Sequence, residues 1–121
     1  MGVYHFKQTK VYQLAFEQAM EIFLLTKKYP KEETYSLIDQ VRRSSRSVCA
    51  NLAEAYRKKI YPANFLLKLT DCDSENSETG VWIDFSFECN YIATEDYSRL
   101  SRRNSEIGRL ISHMRSNPEK Y

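Results

Sequence analysis

Apolar residues recur at spacings of three and four over four stretches of the chain, and each stretch carries its own start and stop signals. In the first, Tyr12, Phe16, Ala19 and Phe23 fall on one stripe of a helix spanning about residues 9–28. Tyr29-Pro30 ends it, because the residue before a proline is pushed out of the α region. The second, about 36–59, opens with Ser36-x-x-Asp39, a capping-box pattern in which each side chain can bond the other's free amide. Leu37, Val41, Ser44/Ser45, Val48, Leu52 and Ala55/Tyr56 then repeat at heptad spacing. The third, about 62–89, starts at Pro62, whose missing N–H costs nothing in a first turn. Phe65, Leu69, Cys72, Asn76, Ile83 and Phe87 mark its stripe, and Asn90 is placed to end it in the left-handed conformation. The fourth, about 95–116, is introduced by Thr94, Glu95 and Asp96, with acids facing the positive end of the helix dipole. Tyr97, Leu100, Asn104, Ile107, Ile111 and Met114 form its stripe before Asn117-Pro118. Four helices with short connections predict an all-α, antiparallel up-down four-helix bundle, with residues 1–121 as one domain.

Composition agrees with few, long elements: 121 residues contain only three glycines and three prolines, too few turn residues for an all-β chain. An apolar fraction of 42% supplies a core, and 28% charged residues solvate the outside. Cys49, Cys72 and Cys89 are an odd set with no CxxC pair, which predicts reduced thiols and a cytoplasmic location. Met1 to Lys10 has no apolar signal segment, and no run approaches the roughly 18 apolar residues that span a membrane, so no membrane partner is expected.

The sequence offers no constellation for catalysis. A di-iron bundle needs Glu-x-x-His, but Tyr91 follows Glu88 at that spacing and Arg109 follows Glu106. His5 and His113 are the only histidines, and Gly2, Gly80 and Gly108 are too isolated for a phosphate loop. No metal, cofactor or catalytic residue is expected. One near miss is Arg109-Leu110-Ile111-Ser112-His113, which has three residues between Arg and His. HEPN-type ribonucleases carry four to six, so this is the third function class considered.

Charge is unevenly distributed although the net is only +2. Residues 34–59 hold Arg42, Arg43, Arg46, Arg57, Lys58 and Lys59 against Asp39 and Glu54, whereas 71–90 hold six acids and no base. On the second helix, Arg43, Arg46, Ala50, Ala53, Glu54 and Arg57 lie opposite the apolar stripe. Alanines between arginines suit close approach by another helix, and the arginine fork suits carboxylates. Ala50, Ala53, Glu54, Glu78 and Trp82 are therefore candidate subunit-interface residues, with the acids of the third helix, in this or a neighbouring subunit, as partners for the arginines. Arg99, Arg102, Arg103 and Arg109 lie off the fourth helix's stripe. With Arg42, Arg43, Arg46, Arg57, Lys58 and Lys59 they are candidates for a basic surface that attracts phosphates. Sparse aromatic interleaving predicts contact with a nucleic-acid backbone rather than base readout.

Several spaced motifs carry a resemblance. Tyr35-x-Leu37-x-x-Gln40-x-Arg42-Arg43 is followed by Ser47-Val48-x-x-Asn51-Leu52-Ala53-Glu54. Tyr29-Pro30-x-Glu32, Ser74, Glu78-Thr79-x-x-Trp82 and Cys89-x-Tyr91-Ile92 fit the same pattern. Over about residues 9–115 the chain resembles the four helix bundle protein family, also called 23S rRNA intervening-sequence proteins. It departs where Ala55 and Asn90 stand in place of common glycines. The resemblance implies an antiparallel bundle, a homopentameric ring and no established catalytic residues. It also implies a relation to the accessory variability determinant of diversity-generating retroelements, which associates with a reverse transcriptase and nucleic acid.

Three functions are thus in play. The leading expectation is a non-enzymatic homo-oligomeric scaffold or accessory protein that binds RNA, DNA or a nucleic-acid enzyme. The alternative is a purely structural or protein-interaction module whose arginines are consumed by ion pairs to the third helix. A HEPN-like ribonuclease is the third.

Overall fold

The computed structural model describes residues 5–121. Helix α1 (Lys10–Thr26), α2 (Leu37–Arg57), α3 (Pro62–Glu88) and α4 (Thr94–Ser116) form an antiparallel up-down four-helix bundle. Short 3-10 turns precede α1, link α1 to α2 and follow α4. Each helix packs on its sequence neighbours, and α1 closes the bundle against α4. Among the described residues no helix is long and apolar enough to cross a membrane.

The helix ends show which local signals act. The Thr9 side chain accepts from the Tyr12 N–H at 3.2 Å and caps α1. Pro62 opens α3 as its first residue. Asn90 adopts φ 64°, and the N–H groups of Asn90 and Tyr91 reach back to the Phe87 and Ser86 carbonyls, a Schellman closure of α3. Two caps differ from expectation. Ser36 makes no side-chain cap bond; the Leu37 N–H is taken by Glu33 Oε1 at 3.3 Å, from the preceding 3-10 turn. Ala93, not Thr94, is the N-cap of α4, and its N–H is accepted by Asp96 at 3.3 Å.

The stripe expected on α1 is also displaced. Val11, Ala15, Gln18, Ala19, Ile22 and Thr26 face inward, whereas Phe16 is 51% exposed and Tyr12 and Phe23 are half-buried.

The core has two apolar clusters. One holds Leu52, Phe65, Leu69, Ile107, Ile111 and Met114; the other holds Ile22, Leu37, Val41, Ile83, Ile92 and Leu100. A polar layer lies mid-bundle. Asn76 donates to the Asn104 carbonyl at 3.0 Å, and Asn104 donates to the Asn76 carbonyl at 2.9 Å. Thr79 bonds Ser44 at 2.8 Å, and the Gln18 amide reaches the Leu100 carbonyl at 2.9 Å. A buried polar layer of this kind fixes helix register, because any slip leaves unpaired donors.

Candidate functional site

The arginines divide into those used inside the protomer and those left outside. Arg103 is only 12% exposed along its side chain and lies 3.0 Å from Glu17 and 2.8 Å from Glu21, while donating to Gln18 at 2.9 Å. Arg99 binds Glu21 and also Asp96, at 2.7 Å. Burial alone would raise the Glu21 carboxyl, but hydrogen bonds and charge from Arg99 and Arg103 outweigh it and hold the group below the usual carboxylate range. The same contacts raise Arg99. These two arginines latch α4 to α1 and are not part of an open basic rim. Arg42 is likewise engaged: its Nε donates to Thr26 Oγ1 at 2.7 Å and its Nη2 to the Phe23 carbonyl at 3.3 Å, closing the end of α1.

Among the described residues no α2 arginine lies within 4 Å of an α3 carboxylate of the same protomer, although the Arg43 charge favours the ionised form of Glu75. Arg43 lies 3.5 Å from Asp39 on its own helix. Asp73 pairs with Arg115 of α4 at 3.3 Å, and Asp84 accepts from the Tyr97 hydroxyl at 2.8 Å. The α2–α3 ion pair runs the other way, with Lys68 of α3 at 3.0 Å from Glu54 of α2. Arg46 rests over the Phe23 ring at 5.5 Å, and Lys59 lies over Tyr56 at 5.2 Å. Arg57 and Arg102 project into solvent, as does Arg109, which stands near Glu106. At that same end Lys10 pairs with Glu106 at 2.9 Å.

Two apolar faces lie on opposite sides of the bundle. On α1, Phe16, Met20 (45% exposed) and Leu24 (56% exposed) stand one turn apart. On the α2 side of this helix the cations Lys27, Arg42 and Arg46 gather over Phe23, and on α2 itself Ala50 is exposed and Ala53 half-buried. On α3, Val81 and Phe85 are exposed one turn apart with Glu78 beside Val81, and the exposed Leu67 lies nearly four turns earlier on the same helix. Because α1 and α3 are diagonal in the bundle, these faces point away from each other. The first has cations on its α2 side and, on its α4 side, Glu17 and Glu21 already paired with Arg99 and Arg103; the second has Glu78 beside it. The sequence pattern pointed to the second face in part, through Glu78, but placed Phe16 in the core.

Trp82 takes a third direction. It is half-buried on the α2 side of α3, its ring 5.9 Å from Phe85 and its indole N–H 3.4 Å from Glu78 Oε1. Across from it stand Tyr35 and Gln40, and the space between is an open groove of about 410 Å3. Along the sequence Tyr35, Gln40 and Trp82 belong to separate motifs; only the fold brings them to one cavity.

His113 is exposed, and its Nδ1 lies 2.5 Å from the Tyr121 hydroxyl. Burial pushes the Cys72 thiol up to about 12 and Cys49 to about 11; Cys89 is exposed. Among the described residues no three His, Cys, Asp or Glu side chains converge as a metal site would require.

Residues 7–113 match the family model described as 23S rRNA-intervening sequence protein. A solved structure of similar fold is that of a protein of unknown function from the S23 ribosomal protein family of Bacteroides thetaiotaomicron VPI-5482. It is 28% identical, with a TM-score of 0.79 over 88% of this chain and 95% of that one. No curated protein matches the chain.

Proposed function

The chain belongs to the 23S rRNA-intervening sequence protein family, and from that premise we propose that it works as a non-enzymatic, self-associating helical scaffold. The observation that carries this reading is the pair of exposed apolar faces with opposite flanking charge, on α1–α2 and on α3. Contact between two copies of the α1–α2 face would oppose cation to cation. Contact between that face and the α3 face of a second copy buries Phe16, Met20 and Leu24 and sets Arg46 near carboxylates. Such a pairing is head-to-tail, so it propagates until the rotation closes a ring. The homopentamer implied by the family resemblance is one such closed form. Ala50 and Ala53 let the neighbouring backbone come close, and Glu78 supplies charge on the receiving side. Sedimentation velocity at micromolar concentration tests the reading: a discrete oligomer supports it, and a monomer at every concentration removes it.

Nucleic-acid contact is the second reading, favoured by cations that form no close ion pair within the protomer. Arg57, Lys58 and Lys59 at the end of α2, with Arg102 and Arg109 on the outer side of α4, are the groups that remain for phosphates. Arg42, Arg99 and Arg103 already serve partners within the protomer, so the reading rests on the other five cations. A salt series of RNA and DNA binding tests this: log affinity falling linearly with log salt supports it, and no binding at low salt removes it.

A further inference from the structure

We propose that the groove between the start of α2 and the last turns of α3 is a docking site for an arginine-bearing segment of a partner protein. Its volume of about 410 Å3 lies in the range of roughly 300–1,000 Å3 found for ligand sites. Its walls are aromatic and its charge is negative. Trp82 and Phe85 meet at an interplanar angle of 39°, and Tyr35, 94% exposed, stands opposite with its whole ring available. Aromatic faces attract cations through their quadrupole, and a guanidinium both stacks and donates in plane.

Of the described residues that line the groove, Glu33 is the one that carries a charge. Its carboxylate is held in place: Oε1 accepts from the Leu37 N–H at 3.3 Å, and Oε2 accepts from the Tyr91 hydroxyl at 2.8 Å. Each oxygen keeps a further lone pair for a donor in the groove. Glu78, bonded to the Trp82 indole, and the exposed Glu32 and Glu88 extend the negative field. The cations nearby are Lys31, exposed on the turn that carries Glu33, and Arg43, which is engaged by Asp39. Gln40 adds an amide oxygen that can accept from a guanidinium. The same field repels phosphodiesters, so a nucleic acid does not fit here. Trp82 points toward α2, whereas Phe85, one turn beyond Val81, and Glu78 border both the groove and the α3 face, so the two sites adjoin.

Trp82 is the only tryptophan in the chain, so its fluorescence reports on the groove directly. The probe is a capped Gly-Arg-Gly-Arg-Gly peptide, titrated into the full chain at low salt. Saturable change of Trp82 emission is expected, with at least tenfold weaker response to the neutral citrulline analogue. Tyr35→Ala touches an almost fully exposed side chain, so the fold is kept, and it should weaken binding several-fold; Glu33→Gln should weaken it about tenfold. Equal responses to arginine and citrulline, or no saturation at millimolar peptide, overturn the proposal. If the peptide instead dissociates the oligomer, the groove holds an arginine of a second copy, and the outside partner is excluded.

Discussion

Asn76 and Asn104 clasp each other across α3 and α4, each side-chain amide donating to the other's main-chain carbonyl, with a further bond of 3.0 Å between the two side chains. The pair sits between the two apolar clusters. Asn104→Ala leaves the Asn76 side chain short of partners, and it should cost about 1–3 kcal/mol in urea unfolding. Gly80→Ala should be destabilising by a related route, because a Cβ there would stand 2.8 Å from Asn104 Oδ1 and push the amide out of register. Unchanged midpoints for both variants would mean that the polar layer does not set helix register.

The α1–α4 latch gives a signed pH dependence. Glu21 is held below its ordinary value, so its contribution is present above the unfolded pKa of about 4.3 and is lost as pH falls through the folded value. Glu21→Gln should therefore cost about 1.5–3 kcal/mol at pH 7. That difference from the unsubstituted protein should shrink as the pH is lowered below 4. Urea midpoints at a series of pH values check this, and a gap that stays constant down to the acid limit would contradict it.

Thiol reactivity should separate the cysteines. Cys72 is buried beside the Val48 carbonyl, and burial raises both it and Cys49, so neither offers thiolate near neutral pH. Titration with an aromatic disulfide should label one thiol, Cys89, in the native protein and three after unfolding. Rapid native labelling of two or more would contradict the packing of α2 on α3.

For nucleic acid, the internal and external arginines give opposite expectations. Lys58→Glu with Lys59→Glu should weaken RNA binding and lower the log-salt slope by about 1 for each phosphate that is no longer neutralised. Arg102→Gln should act in the same direction. Arg42→Gln should lower stability and leave the slope unchanged, since its guanidinium already serves Thr26 and Phe23. A reversed ranking would show that the exposed cations do not bind the phosphates.

The bundle itself was legible because its punctuation is local. Pro62 and Asn90 act through their own backbone preferences, and the stripes of α2 and α4 alternate with enough charge to leave one inward solution. Helix α1 was misread because it is apolar on two sides. The spacing of Tyr12, Phe16 and Phe23 fits an outer stripe as well as an inner one, and the true core position Gln18 is polar. The ion pairs inside the protomer were illegible for a different reason. Arg103 meets Glu21 across 82 positions of chain, and no local pattern encodes that contact. A faint signal existed: Glu17 and Glu21 on α1, and Arg99 and Arg103 on α4, share the same four-residue spacing. The groove was out of reach because it joins a loop residue, Tyr35, to the far end of α3.

Head-to-tail self-association is tested most directly by complementation. Met20→Asp spoils the α1 face, and Val81→Asp spoils the α3 face; both side chains are about half exposed, so each variant should fold. Each variant alone keeps one good face with no partner face to receive it. In an analytical ultracentrifuge each should sediment as a monomer, and an equimolar mixture should form a two-subunit species that grows no further. A mixture that stays monomeric while the unsubstituted protein assembles would contradict the pairing of α1 with α3.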